Sequence, residues 1–327
     1  VTIYEVAKRA GVSIATVSRT LRGTGPVAAK TREKVLKAVE ELNFTPSRLG
    51  VSLAEGRHAA NGIVFPTLGG PYYAEVLLGY EEVASELGRS VLILSAKGGT
   101  HVREAVKELA GRVDGLVVFG RTVPGDLVAE LAGMPLVFIS CGPMAGADTL
   151  RCENLESARL LAGHLRGHGY RRFAFLGAPH TPGDDISERW EGVEGVLGGA
   201  VRPVPTAEYT VEGGYEAARK LLGKKARPRA LICSGDEVAL GALLAAEEYG
   251  MAVPQDLAVT GWDDIMAARH ARPALTTVRQ PMRELGAQAA RVLDELITCP
   301  RPERHRTLAT QLVIRASCGT HPQEDPQ

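Results

Sequence analysis

The chain has 327 residues, 38 Lys+Arg against 38 Asp+Glu, 45% hydrophobic residues and 5% aromatics. That length makes two or three compact units, and zero net charge with ordinary apolar content excludes a disordered chain. No stretch approaches the roughly 18 uninterrupted apolar residues of a membrane span. The opening residues form a polar helical pattern without a starting Met, which predicts a cytoplasmic protein with a trimmed start and no secretory signal.

Cys141, Cys152, Cys233, Cys299 and Cys318 are odd in number and scattered, with no CxxC spacing. They read as small buried hydrophobes, against a disulfide framework or a zinc ribbon. Zero net charge hides an asymmetry. Residues 1–58 carry ten Lys/Arg and five Asp/Glu, a net of +5, so the remainder carries −5. A basic head on an acidic body points to a polyanion partner for the head alone.

Thr2-Ile3-Tyr4-Glu5 has the capping-box pattern, and Ile3, Val6, Ala7 and Ala10 follow at the spacing of one buried helical stripe. Gly11 ends that helix. Ser13 can cap a second, through about Leu21, with Val17 and Leu21 facing inward. Gly23, Gly25 and Pro26 make a loop before a third helix over about 29–42. Two short helices joined by Ala-Gly-Val-Ser form a helix-turn-helix pattern, whose second helix would face base edges with its first turn. A three-helix bundle that binds nothing fits the same spacing.

Phe44-Thr45-Pro46-Ser47 stops the third helix. Residues 47–56 could form two helical turns capped by Ser47, although Gly50 costs roughly 1 kcal/mol relative to alanine. So short a helix is unstable alone, and the segment is expected to stay disordered until a partner holds it. A plain flexible linker fits its composition equally.

From Gly62 a short apolar run, a turn and an amphipathic helix repeat. Strands are predicted at 62–66, 90–96, 115–120, 135–140, 172–178, 229–235 and 257–261. Helices are predicted near 73–87, 101–111, 126–132, 155–167, 187–197, 213–223 and 236–249. Val91-Leu92-Ile93-Leu94 and Leu116-Val117-Val118-Phe119 are apolar on both faces, as buried parallel strands require. The alternation predicts doubly wound α/β architecture, and so many units predict two lobes splitting near 150–156. Ligands in such sheets bind beyond the carboxyl ends of strands. The residues falling there include Tyr72, Tyr73, Ser95, Arg189, Asp236, Trp262 and Asp263. Aromatic faces beside carboxylates and an arginine suit a sugar or polyol, although any one of these could be structural. Asp236 in particular is placed to cap the helix that follows it.

Catalysis has no support in the sequence. GxxxxGK[ST], GxGxxG after a strand, HExxH and GxSxG are all absent, and no cofactor is expected. His164 and His168 stand at i, i+4 as metal ligands can, but without an evident third ligand they read as a solvated helix end. Asp184, Asp185 and Glu188 read as loop surface and helix start.

Residues 1–21, Val-Thr-Ile-Tyr-Glu-Val-Ala-Lys-Arg-Ala-Gly-Val-Ser-Ile-Ala-Thr-Val-Ser-Arg-Thr-Leu, resemble the headpiece of the LacI/GalR transcription regulators. Segments 30–35 and 41–48 continue the likeness, and Tyr72-Tyr-Ala-Glu, 234–241, 253–264 and 273–281 resemble the body of the same family. The likeness runs to about residue 319. The body alone would also fit periplasmic sugar-binding proteins, which share its fold.

The resemblance implies an α/β protein: a three-helix helix-turn-helix headpiece (1–45), a hinge helix or linker (46–58), a two-lobed periplasmic-binding-protein-like core of doubly wound parallel sheets (59–319) and a disordered tail (320–327). It implies a repressor of carbohydrate-utilisation genes that binds double-stranded DNA as a homodimer and answers to a sugar-like effector, with no membrane partner. Ile14 and Ala15 fall at the family's specificity positions, with Thr16 and Ser18 beside them. Arg19 matches a base-contacting arginine that can take guanine bidentately, while Tyr4 and Ser13 match phosphate contacts. Leu53 matches the leucine wedge pushed into a central CpG step, and Arg22 and Ser47 complete the DNA-facing set. Arg189, Asp236 and Asp263 match positions that line or support the effector cleft, with Tyr72 and Tyr73 as its aromatic wall.

The family's chain crosses back after about residue 279. Helix 282–298 is therefore expected in the amino-terminal lobe (59–154, 280–306), and strand 307–316 in the carboxyl-terminal one (155–279, 307–319). Four departures stand out. Arg22 replaces the usual Asn, and Gly50 the usual hinge Ala. Cys152-Glu153-Asn154 replaces Val-Asp-Asn, and Trp262 stands where Phe or Tyr is common and would give a larger stacking surface. Apolar Ile14 and Ala15 favour thymine methyl groups over hydrogen-bonding edges.

Overall fold

The computed structural model describes residues 1–44, 58–96, 101–120, 122–178 and 184–319. The hinge readings, with Ser47, Gly50 and Leu53, and the tail reading at 320–327 lie outside the described residues. The chain divides into two compact units, Val1–Ala59 and Ala60–Gln327.

The first unit contains α1 (Ile3–Ala10), α2 (Ile14–Arg22) and α3 (Ala29–Glu41). Glu5 reaches back to the Thr2 amide, N–H to Oε2 2.6 Å, which begins α1. Gly11, at φ 67°, turns the chain out of it in the left-handed conformation that a side chain would resist. Ser13 then caps α2 by accepting the Thr16 amide at 3.2 Å. Val6, Ala7, Val17, Val35 and Ala38 form the small core, with Ile3, Leu21, Val39, Leu42 and Phe44 packed on it.

The second unit begins with a six-stranded parallel sheet: β1 (Ala60–Phe65), β2 (Ser90–Ser95), β3 (Gly115–Phe119), β4 (Leu136–Ile139), β5 (Asp148–Cys152) and β11 (His305–Leu308), in the order β11-β5-β4-β3-β1-β2. The second lobe holds β6 (Phe173–Leu176), β7 (Val201–Val204), β8 (Ala230–Cys233) and β9 (Ala258–Thr260), in the order β7-β6-β8-β9 and again parallel. A third pair, β10 (Thr277–Arg279) and β12 (Gln311–Val313), is antiparallel. The connecting helices are α4 (Pro71–Glu86), α5 (Val102–Ala110), α6 (Gly125–Glu130), α7 (Leu155–Gly167), α8 (Asp185–Leu197), α9 (Val211–Leu222), α10 (Asp236–Glu248), α11 (Met266–His270) and α12 (Met282–Thr298).

Two strand expectations need correcting. The run 307–316 is two strands: residues 307–308 stay in the first lobe, parallel to β5, and only β12 turns back to pair with β10. Ala309 and Thr310 separate the two. The run 91–94 is not buried on both faces. It belongs to β2, the sheet edge, where Ile93 is 45% exposed. By contrast β3, in the sheet interior, is buried throughout.

Helix α12 returns to the first lobe and packs on α4, β3, β4 and β5. Glycines allow its close approach to α4. A Cβ on Gly286 would lie 1.9 Å from the Val76 carbonyl oxygen, and one on Gly79 would lie 2.0 Å from that of Arg283. Backbone cannot yield as a side-chain tip can, so Gly286→Ala is expected to cost about 3 kcal/mol through overpacking. Gly163→Ala, in α7 with no atom within 4 Å of the new Cβ, is expected to be neutral or slightly stabilising. Urea unfolding of both variants checks the contrast, and equal stabilities would refute the contact.

Candidate nucleic-acid interface and effector cleft

In the first unit, Val17 and Thr20 turn inward from α2. Ile14, Ala15, Arg19 and Arg22 are exposed, and Thr16 and Ser18 are half-buried. Positions 14, 15, 18, 19 and 22 share one helical face, the side opposite the core. Tyr4 on α1 is 69% exposed. Ser13 is committed to capping, and its hydroxyl also meets that of Thr16 at 2.9 Å. Arg22 folds back on Ser18, bonding its carbonyl at 3.4 Å and its hydroxyl. The outer surface of α2 therefore combines two apolar side chains near its start with two guanidiniums near its end.

In the second unit, a cavity of about 400 Å³ lies beyond the carboxyl ends of the strands of both lobes, within the range of small-molecule sites. Pro71 starts α4 and sets Tyr72 and Tyr73 in its first turn. Their rings meet Phe119 edge-on, with centroids 6.1 Å and 5.2 Å away. The Tyr72 hydroxyl also bonds Ser140 at 3.0 Å. Opposite this aromatic wall stand Arg189 from α8, Asp263 after β9, and Asp184, Asp185 and Glu237.

Arg189 is 6% exposed. Its Nε donates to Asn154 Oδ1 at 2.8 Å and its Nη1 to the Ser234 carbonyl at 2.6 Å. The guanidinium lies 4.6 Å from the Trp262 ring centroid, within cation–π range. Asp263 accepts from Gln280 Nε2 at 2.5 Å. Burial raises its carboxyl to about 7, against the pull of Arg189 and the Gln280 bond. Burial likewise raises Asp185.

The direction at Asp263 carries a stability consequence. A carboxyl raised from 3.8 to about 7 stabilises the fold fully below pH 3.8 and loses that contribution as pH climbs through 7. The ligand-free protein is therefore expected to lose stability progressively between about pH 4 and 7 and to level off above that, and Asp263→Asn to lessen that slope. Denaturant midpoints across this window check it. A slope unchanged in the variant would refute the assignment.

The positions expected at the cleft separate into three groups. Tyr72, Tyr73, Arg189 and Asp263 line the cavity. Asp236 and Trp262 lie behind it. Asp236 is wholly buried and does not cap α10, as its position suggested; its carboxylate accepts the Ile265 amide at 2.9 Å and the Thr277 hydroxyl at 2.6 Å. Desolvation, then the nearby Asp263 carboxylate, pushes its pKa far up. Trp262 is 2% exposed and supports Arg189 from beneath, so it offers no stacking surface to a ligand. Ser95 is exposed on edge strand β2 and does not line the cavity.

Glu237, Tyr209 and Gln280 line the cavity without having been singled out, and Asp184 and Asp185 line it too. Residues 184, 185 and 188 do form a helix start, but Asp185 is not loop surface: Asp184 caps α8 through the Ser187 amide at 2.7 Å, and Asp185 turns inward. The Glu153 departure is structural. Its carboxylate accepts the Glu156 and Ser157 amides at 2.6 and 2.9 Å, capping α7 and leaving Asn154 to orient Arg189. Of the cysteines, 141, 152, 233 and 318 are buried, but Cys299 is exposed.

A helix-turn-helix unit joined in one chain to a two-lobed ligand-binding type of core defines a ligand-responsive DNA-binding regulator. Residues 2–47 match the family described as "Bacterial regulatory proteins, lacI family", and residues 162–318 match the periplasmic binding protein-like domain. The HTH-type transcriptional repressor PurR of Erwinia tasmaniensis is 33% identical over 349 residues, covering 99% of this chain and 98% of that protein. PurR of Haemophilus influenzae is 34% identical, covering 91% of each. The lac repressor dimer bound to operator and the anti-inducer ONPF superposes with a TM-score of 0.88 at 28% identity, covering 98% of this chain and 99% of that one. The regulator CelR in its cellobiose complex gives a TM-score of 0.71 at 29% identity, covering 97% and 99%. The chain belongs to the LacI family and is a DNA-binding transcriptional repressor with a small-molecule effector.

Proposed function

We propose that the protein binds a palindromic operator as a homodimer in the cytoplasm, controls carbohydrate-utilisation genes, and is switched by a neutral sugar or sugar-like polyol without turning it over. The observation that carries the effector class is the composition of the cavity wall. Among the described residues, four carboxyl groups (Asp184, Asp185, Glu237, Asp263) line the cavity with one guanidinium, and that guanidinium is already engaged by Asn154 and Ser234. A phosphorylated or dicarboxylate ligand would meet net repulsion, whereas sugar hydroxyls can donate to carboxylates and ring faces can lie on Tyr72 and Tyr73. CelR, of the same fold, is seen with cellobiose.

For the dimer, the first lobe exposes Leu68, Leu78 and Ile93, the last on an edge strand that would otherwise be open to pairing. Among the described residues no helix is long and apolar enough to cross a membrane. The ligand acts by differential affinity for two arrangements of the lobes, which the hinge at 46–58 passes to the headpieces.

Calorimetry with neutral sugars against sugar phosphates, followed in parallel by tryptophan fluorescence, tests the effector class. A neutral sugar is expected to bind and to shift Trp262 emission through Arg189. Preferential binding of a phosphorylated sugar would overturn the reading.

A further inference from the structure

His164 and His168 are not a solvated helix end. His164 stands in the last turn of α7 and His168 caps its end; both are half-buried, with ring centroids 4.8 Å apart and nearly perpendicular. The chain brings Cys318 against them from the short turn Ala316–Cys318, 154 residues after His164. Cys318 is fully buried, and His164 Nε2 lies 3.4 Å from its Sγ. The ligand-type atoms of all three residues fall within 4.8 Å of one another.

The geometry can be compared with a metal tetrahedron. Zinc–sulfur and zinc–nitrogen bonds of about 2.3 and 2.05 Å make ligand-to-ligand edges of about 3.4–3.6 Å. The His164–Cys318 edge already has that length. The remaining spread closes with a movement of about 1 Å, within reach of side-chain torsions. The surroundings hold the turn in place. Tyr170 donates its hydroxyl to the Cys318 carbonyl at 3.2 Å, and the Thr276 hydroxyl lies 3.0 Å from the sulfur. Ser317 Oγ donates to the Val259 carbonyl at 2.5 Å and accepts the Thr276 amide at 2.8 Å. Gly319 lets the backbone approach the His168 ring so closely that a Cβ there would lie 3.1 Å from Nδ1. Outer contacts of this kind orient ligands in metal sites.

We propose that His164, His168 and Cys318 bind one divalent zinc-type ion per chain, outside the effector cleft, with water in the fourth position. Two imidazoles and a thiolate suit a borderline-soft ion and not magnesium or calcium. Binding forms one metal–sulfur bond and two metal–nitrogen bonds. The Cys318 thiol proton goes to solvent. The ion clips the turn Ala316–Cys318, which follows β12, to the first helix of the second lobe.

The test uses the untagged full-length protein, stripped by chelator and titrated with cobalt(II) and then zinc. One cobalt per chain is expected, with a thiolate charge-transfer band in the near ultraviolet that zinc abolishes. Zinc should also raise the Tm. Cys318→Ser should remove the band, and His164→Gln and His168→Gln should each weaken zinc binding at least about tenfold. Cys299→Ser, at the exposed thiol, should change nothing. Since His168 is half-exposed, its variant and the wild-type spectrum decide the matter even if Cys318→Ser fails to fold. Absence of a stoichiometric thiolate–cobalt band in the wild type, or zinc affinity unchanged in the histidine variants, would overturn the site.

Discussion

Arg19→Ala is expected to weaken operator binding by about 1–3 kcal/mol and to relax one base position in each half-site. The structure places Arg19 on the exposed face of α2, with Ile14 and Ala15 one turn nearer the helix start. Its stem runs past the loop at Gly25, whose added Cβ would sit 3.6 Å from the Arg19 Cδ. Arg22 differs, because its guanidinium is folded onto Ser18. Of the two arginines of α2, Arg19 is thus the one expected to recognise guanine bidentately. A lysine there would keep the charge but lose the fork, so Arg19→Lys should retain the salt dependence while losing discrimination. Binding isotherms on single-base operator variants measure this. Uniform weakening on every sequence would reduce Arg19 to a phosphate contact.

Arg189→Ala is expected to reduce affinity for the proposed sugar effector by at least about 100-fold and to cost about 2–4 kcal/mol of stability. The side chain is buried, so its loss leaves Asn154 Oδ1 and the Ser234 carbonyl without their donor and removes the cation from a wall of four carboxylates. Trp262 would lose the guanidinium stacked on it. Arg189→Lys should rescue little, since an ammonium cannot serve two acceptors and a ring face at once. Calorimetry and chemical denaturation separate the two effects, with operator binding as a control for folding. Undiminished sugar affinity would remove Arg189 from the site.

The architecture was legible because its signals are local. Runs such as 115–119 and amphipathic stretches such as 155–167 carry their own periodicity, and the α1–turn–α2 spacing is set by Gly11 and Ser13 in sequence. Less legible were features decided by neighbours. Strand β5 is short and mixed in character, and Asp148 inside it is paired with Arg301 from the far end of the chain, at 2.8 Å. β2 has the composition of an interior strand and lies at an edge. Trp262 looked like a ligand-facing ring and is a buried support. Asp185 had no pattern of its own, because its inward direction follows from the cap made by Asp184. Cys318 joins His164 and His168 only after the chain has crossed between lobes three times.

Selection of bound duplexes from a random pool tests sequence-specific repression under sugar control. The full chain is used at fixed moderate salt, with and without a panel of neutral sugars. A palindrome with a central CG step is expected to be enriched, and its enrichment to change in the presence of one sugar. No enriched palindrome under any of these conditions would contradict it.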